Sequence, residues 1–545
     1  MEGGEEAWQW QTEKIFWSVI AIVVSFLVLT ILEKLWLKIQ RIRSVLHKQG
    51  ITGPTPSFPW GNLSEVQRIQ SHYSNLSSSS FPISSDQWFS FLFPYLQQWR
   101  KQYGPTYLYF IRSKQHLYVG DPELLKELNL TRSLDLGKSP TMSKVVKPLL
   151  GDGILMANGQ YWSFQRNIIA PQFFLSKIQN MVAMIEESTR EIMRKWERCI
   201  GESGGKMAEI VIDNDLKALT TDVICKACFG SSYVQGIQIF DKLASLQSAL
   251  AKPSLPFGIS ILRYLPTKGN REIWRLEKEI EKLILTVVED REKENQGQVN
   301  LNQKDLLQIT IDSVTIDAND YSGWRTLKKL RHKQHEAKKL IVDMCKNIYF
   351  AGSESTAVLV TWTLIILAFN PQRQECLRSE ILDTFPNMSP HCFRDMDKFR
   401  KLKLLTMVIQ ECLRLYSPGI VVSREALEEI KLGELVVPKG TIIQFFIQAL
   451  HRDADIWGQD ATEFKPERFL GGVSEACKNP NAYIPFGVGS RICLAQNFAL
   501  TEAKIMLSLL LSNFSFSISP NYRHFPSYKM LLKPKYGAPI LVTKL

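Results

Sequence analysis

Apolar residues recur at helical spacing along most of the 545-residue chain. The pattern predicts helices over residues 88–103, 122–128, 178–196, 210–229 and 271–291, and one long helix from about 334 to 369. A last helix is expected from Gln496, its apolar stripe continuing through Ile505, Leu507 and Leu510. Short extended runs fall at 107–111, 116–119, 429–437 and 441–448. Residues 71–86 are serine-rich and read as a surface loop, and the polar stretch 292–304 reads as a flexible connection. The sum is mainly α with small β-sheets, lacking the strand–helix alternation of a doubly wound fold.

One apolar run breaks this amphipathic pattern. Residues 15–32 are interrupted only by Ser18, Ser25 and Thr30, long enough as a helix to cross a thin bilayer core. Glu2, Glu5, Glu6 and Glu13 precede it, while Lys34, Lys38, Arg41, Arg43 and Lys48 follow. That asymmetry predicts an uncleaved, single-pass transmembrane anchor with its C-terminal side in the cytosol, since a cleaved leader would carry its positive charge first. The expected organisation is a luminal N-terminus at 1–14, the anchor at 15–33, a basic and proline-rich hinge at 34–63, and a cytosolic body at 64–545.

Net charge is +12, which suits a scattered solvated face, anionic membrane lipid or an acidic protein partner. Nucleic acid is not expected, because no zinc-finger spacing or RNP-like motif occurs. Nine cysteines at irregular spacing argue against a disulfide framework. Cys225 and Cys228 form a CxxC inside an apolar helical run with no second pair to complete a zinc site, so helix packing is expected.

The chemistry concentrates near the C-terminus, at Phe486-Gly487-Val488-Gly489-Ser490-Arg491-Ile492-Cys493-Leu494-Ala495. Two glycines permit a tight turn before a single cysteine at a helix start. Free N–H groups and the helix dipole there should favour thiolate and pull the pKa below its free value of about 8.5. Within the long helix, Ala351-Gly352-Ser353-Glu354-Ser355-Thr356 puts a glycine and a run of hydroxyls where they cost stability, which predicts a local opening of the helix. An acid followed by alcohols can pass protons, with Glu354 on the source side and Ser355 and Thr356 as donors. Glu411 and Arg414 lie three apart on one helix face.

These motifs together resemble the cytochrome P450 family. Phe486, Gly489, Arg491 and Cys493 match its Phe-x-x-Gly-x-Arg-x-Cys haem loop, ending in Ala495 where glycine is usual. Ala351–Thr356 resembles the oxygen-activation motif, with Ser355 in the place of threonine, and Glu411/Arg414 matches Glu-x-x-Arg. The resemblance implies the cytochrome P450 fold and haem b with axial thiolate from Cys493. It implies propionate donors Trp162, Arg166, Arg424 and Arg491, and Arg468 as third member of a buried brace with Glu411 and Arg414. His451-Arg452-Asp453 reads as structural.

Finer texture, including Gly151-Asp152-Gly153-Ile154 and Asn497-Phe498-Ala499, is similar to a plant clan of gibberellin-oxidising enzymes. The implied activity is hydroxylation or epoxidation of a terpenoid, most simply a gibberellin or related ent-kaurenoid diterpenoid acid. Electrons would come from NADPH–cytochrome P450 reductase, at the cytosolic face of the endoplasmic reticulum. Three alternatives stand beside it: a triterpenoid or other hormone hydroxylase, a reductase-independent haem-thiolate isomerase or lyase, and a binding protein with vestigial haem. The substrate cavity is expected from a loop at 141–150, the face of Phe350, Ala351 and Ser355, and the turn at 420–422. Lys144, Lys147 and Arg424 are its candidate cations for a carboxylated substrate.

Overall fold

A computed structural model describes residues 2–75, 81, 87–131, 133–251, 265–295, 305–315, 334–386 and 392–545. The chain divides into two compact units. The first comprises Met1–Ser77, Ser90–Glu127 and Ser423–Phe445, and the second Ser78–Phe89, Leu128–Val422 and Phe446–Leu545.

The first unit begins with the helix Glu2–Leu32, whose apolar stretch Lys14–Phe26 leaves Ile15, Phe16, Trp17, Ile22 and Phe26 exposed. The helix Lys38–His47 instead buries Ile39, Ile42 and Leu46. Strands Thr106–Ile111 and Lys114–Val119 pair as an antiparallel hairpin, and Lys114–Val119 runs parallel to Ile442–Phe446. Aromatics hold this sheet: Tyr107 stacks on Tyr118 at 4.6 Å, and Tyr109 donates to Gln444 Oε1 at 2.5 Å. The extended run at 429–437 is a hairpin of Ile430–Leu432 and Leu435–Val437.

The second unit is helical. Its core is Ser355–Ala368, in which every residue from Thr356 to Ala368 is buried. An all-round apolar helix needs neighbours on every side, and Ile212–Phe229, Lys403–Leu415 and Gln496–Asn513 pack against it. The Gln334–Gly352 helix comes so near Ile212–Phe229 that a Cβ on Gly352 would sit 2.7 Å from Ile224 Cγ1, which accounts for that glycine. The last strand, Pro539–Lys544, lies between Met207–Val211 and Phe514–Ile518, antiparallel to both.

Several boundaries differ from the sequence expectation. The 334–369 helix is two, Gln334–Gly352 and Ser355–Ala368, and the break falls in the hydroxyl-rich motif as expected. The 88–103 helix splits into Gln87–Leu92 and Pro94–Tyr103, because Pro94 has no N–H to continue the first ladder. Ile210 belongs to the strand Met207–Val211. Residues 141–150 are not a loop: Pro140–Leu150 is a helix started by Pro140 and stopped at Gly151, whose φ is +56°. The serine-rich stretch is helical as far as Asn75, and 292–295 closes the helix Lys268–Asn295. Residues 76–80, 82–86 and all of 296–304 lie outside the described residues.

Candidate haem-thiolate site

The cysteine loop is built by its glycines. Gly487 and Gly489 have φ of +81° and +71°, where side chains are strained. A Cβ on Gly489 would also stand 2.9 Å from Leu128 O. The turn closes through Ile492 N–H to Gly489 O at 3.0 Å and Cys493 N–H to Phe486 O at 2.9 Å. The helix Gln496–Asn513 then begins three residues after Cys493.

Cys493 is solvent-reachable, yet protein surrounds it at longer range, as on the wall of a concavity. Burial pushes its thiol above the usual value. The Ala495 backbone and the Arg166 charge pull the other way without winning. This corrects the expectation of a depressed pKa: the loop keeps the sulfur short of the helix end, and desolvation outweighs the dipole.

Trp162, on the helix Gly159–Ile169, gathers two cations beside this sulfur. The Arg491 guanidinium lies 4.4 Å and that of Arg166 5.7 Å from its ring. Arg491 donates to Ala157 O and Asn158 Oδ1 at 2.8 and 3.0 Å, while Arg166 donates to Ile492 O at 3.1 Å. Arg166 meets no carboxylate among the described residues. Arg424 belongs to the first unit; it is buried, its pKa lowered to about 10 by desolvation. Its hydrogen bond runs to the adjacent Ser423 O at 3.0 Å, and it too lacks a carboxylate among the described residues. A buried guanidinium (Arg424) and a half-buried one (Arg166) without acids suit an anionic ligand.

The helix break holds the second cluster. Ser353 O accepts from Thr220 Oγ1 at 2.7 Å, and Ser355 Oγ donates to Ala351 O at 2.8 Å. Burial pushes the Glu354 carboxyl up, but ion pairs with Lys217 and Lys533 outweigh it and hold it below the usual range. Thr356 is buried against Glu502, a residue the sequence reading missed. Burial raises the Glu502 carboxyl to about 8, partly opposed by Thr356, and Glu502 Oε2 meets no partner among the described residues. Glu502 sits on the helix that follows Cys493, so one element reaches both clusters. A lone acid among good helix formers gave no signal of its burial.

The expected brace is present. Arg414 Nε and Nη2 reach Glu411 at 2.7 and 2.8 Å, both side chains fully buried, and Arg468 Nε stands 3.4 Å from Glu411. Arg414 also donates to His451 O at 2.7 Å and Glu463 O at 3.0 Å. His451 is structural: Nδ1 meets Arg414 O and Nε2 accepts from Ile484 N–H at 3.0 Å. Burial and Arg414 lower its pKa to about 3, so the ring is neutral. Cys225 and Cys228 are buried in their helix, and no metal-type cluster of His, Cys, Asp or Glu occurs among the described residues.

A family model described as cytochrome P450 matches residues 87–542. The chain belongs to the cytochrome P450 family. Cytochrome P450 714A2 of Arabidopsis thaliana is 44% identical over 510 residues, 92% of this chain and 93% of that protein. Cytochrome P450 714C3 of Oryza sativa subsp. japonica is 40% identical over 528 residues, 97% and 98% respectively. Cytochrome P450 714B3 of Zea mays is 37% identical over 538 residues, 98% and 96%. The protein is therefore a cytochrome P450 monooxygenase, an oxidoreductase whose cofactor is haem held by an axial cysteine thiolate. Like other cytochromes P450 it takes a small-molecule substrate and electrons from a redox partner.

For the carboxylate of a substrate, the cations expected in the cavity divide. Lys147 is half exposed and paired with Asp152 at 3.3 Å, and Lys144 is exposed on the same helix. Lys346, on Gln334–Gly352, is buried, and its ammonium donates to Pro148 O at 3.3 Å.

Proposed function

We propose that Cys493 is the axial ligand and that Trp162, Arg166, Arg491 and, from the other unit by family resemblance, Arg424 bind the haem propionates. The pairing of two guanidinium groups on Trp162 beside a concave cysteine carries this reading. When bound, haem supplies the oxidising chemistry that inserts one atom of dioxygen into an unactivated bond. The chain's own residues orient, desolvate and deliver protons. Glu354, set ionised between two lysines, is the exchange point with solvent, and Ser355 Oγ is the near donor once it leaves Ala351 O. Thr356 Oγ1 and the protonated Glu502 form a water-excluded reserve beneath them.

The substrate proposed is a gibberellin or a related ent-kaurenoid diterpenoid acid, a reading supported by resemblance in the plant-type motifs. The implied electron donor is NADPH–cytochrome P450 reductase, with the catalytic body at the cytosolic face of the endoplasmic reticulum. The exposed apolar side chains of Lys14–Phe26, followed by basic residues, support a single-pass anchor. The helical run Ala337–Ala368 is long and apolar enough to cross a membrane, which the shorter apolar stretch Lys14–Phe26 is not, but 78% of its apolar window is buried as core. Titration of the haem-loaded protein with gibberellins, ent-kaurenoic acid and triterpenoid acids tests the substrate. A low-to-high-spin shift with the diterpenoid acids is expected, and a response to triterpenoids alone overturns it.

A further inference from the structure

Below the helix break, a set of oxidisable rings has no part in binding or proton delivery as described above. Trp362 lies two turns along the helix from Ser355, and its ring stacks on Tyr416 at 4.5 Å and 19°. Both are fully buried. Tyr416 follows Arg414 of the brace and precedes by four residues Ile420, the start of the turn expected to face the substrate. Trp88 also stacks on Tyr416, at 5.9 Å, with the Arg452 guanidinium 4.8 Å from the Trp88 ring and 5.5 Å from that of Tyr416.

The hydroxyl of Tyr416 takes a side-chain hydrogen bond from Arg452. It meets His524 Nε2 at 3.2 Å, and His524 Nδ1 meets the hydroxyl of Tyr522 at 2.9 Å. Burial, then Arg452, lowers the His524 pKa to about 3, so a neutral imidazole stands between two phenols. Burial keeps the Tyr416 phenol protonated, its pKa raised to about 12. Trp362 Nε1–H is occupied separately, by Leu532 O at 2.7 Å. Tyr522 reaches the half-exposed surface.

We propose that Trp362, Tyr416, His524 and Tyr522 form an exit path for oxidising equivalents, carrying to the surface those that the enzyme's dioxygen chemistry generates when no substrate takes them. Trp362 gives one electron inward and is refilled by Tyr416. The Tyr416 proton passes to His524 Nε2, the Nδ1 proton passes to the Tyr522 oxygen, and the Tyr522 proton leaves to solvent. Tyr522 then returns an electron to Tyr416, and the two imidazole proton transfers reverse. In sum one electron moves inward, one proton enters solvent and a neutral tyrosyl radical stands at Tyr522. A cytosolic thiol gives that radical one hydrogen atom and becomes a thiyl radical. The nearby Arg452 charge disfavours a cationic Trp88 or Tyr416, so the hole sheds its proton where a phenol meets the neutral His524.

The test uses the full-length, haem-loaded protein without substrate, mixed with hydrogen peroxide and freeze-quenched for electron paramagnetic resonance. A tyrosyl signal is expected, assigned by deuterated tyrosine. Tyr416→Phe, which keeps the stack, removes most of it and speeds haem bleaching several-fold, and Trp362→Phe slows its appearance. Tyr522→Phe keeps a radical at Tyr416 but makes its quenching by glutathione slower. Two results would overturn the path: no tyrosyl signal in the parent, or the parent's radical yield and bleaching rate in both Tyr416→Phe and Trp362→Phe.

Discussion

Cys493 and Glu502 show how burial decides the charge of single groups. Both are pushed toward their neutral forms by desolvation, Cys493 despite Arg166 and Glu502 despite Thr356. Replacing Cys493 with serine should abolish the thiolate-type Soret shift of the reduced carbon monoxide complex. Glu502 has a measurable thermodynamic signature. Its folded pKa, about 8, lies above the ordinary 4.5, so the folded state binds the extra proton between those values. The corresponding stability is fully present below pH 4.5 and is lost as pH rises through about 8. Glu502→Gln should flatten that fall in a series of thermal melts; an unchanged slope would place the proton elsewhere. The cysteine was legible from its flanking glycines and arginine, because turn geometry is local. The state of its thiol was not, because desolvation depends on chain segments hundreds of residues away.

At the scale of elements, the break between Gln334–Gly352 and Ser355–Ala368 is the feature with the clearest consequences. Ser355 bonds back to Ala351 O, and without threonine's methyl its χ1 is held less firmly. Ser355→Thr is therefore expected to lower the peroxide released per NADPH consumed. Glu354 contributes stability above its ordinary pKa of 4.5, lost as pH falls through its lower folded value. Changing Lys217 and Lys533 together to alanine should raise the Glu354 pKa and move the acidic limb of the rate profile upward. The Lys403–Leu415 helix carries the brace. Glu411→Gln should cost about 3–5 kcal/mol and most haem incorporation, read by denaturant unfolding and haem content, because it strands buried guanidinium groups. Helices with a continuous apolar stripe could be read from the chain. Pro140–Leu150 has such a stripe too, with Met142, Val145, Val146, Leu149 and Leu150 at helical spacing, but Met142 and Val145 are exposed and Pro148 sits inside it, where helices seldom take proline.

Across the whole molecule, the apolar N-terminal helix and the buried core helices have similar composition and opposite surroundings. Composition does not separate them; burial does, with the core window 78% buried and Ile15, Phe16, Trp17, Ile22 and Phe26 exposed. Deleting residues 1–33 should move the protein from vesicle-bound to supernatant on flotation with anionic liposomes, while the haem spectrum persists. Sheet partners were the least legible feature, because pairing depends on segments distant in sequence. The strand Pro539–Lys544 is the extreme case, lying between Met207–Val211 and Phe514–Ile518. Its position gives synthesis a direction. At about 5–20 residues per second, Met207–Val211 waits on the order of tens of seconds for its partner to be translated. During that interval its edge is a template for any other extended chain, and this sheet cannot close until Pro539–Lys544 has been made. A nascent chain stalled short of Pro539 is thus a natural client for chaperones, and loss of Pro539–Lys544 alone would leave two strand edges open.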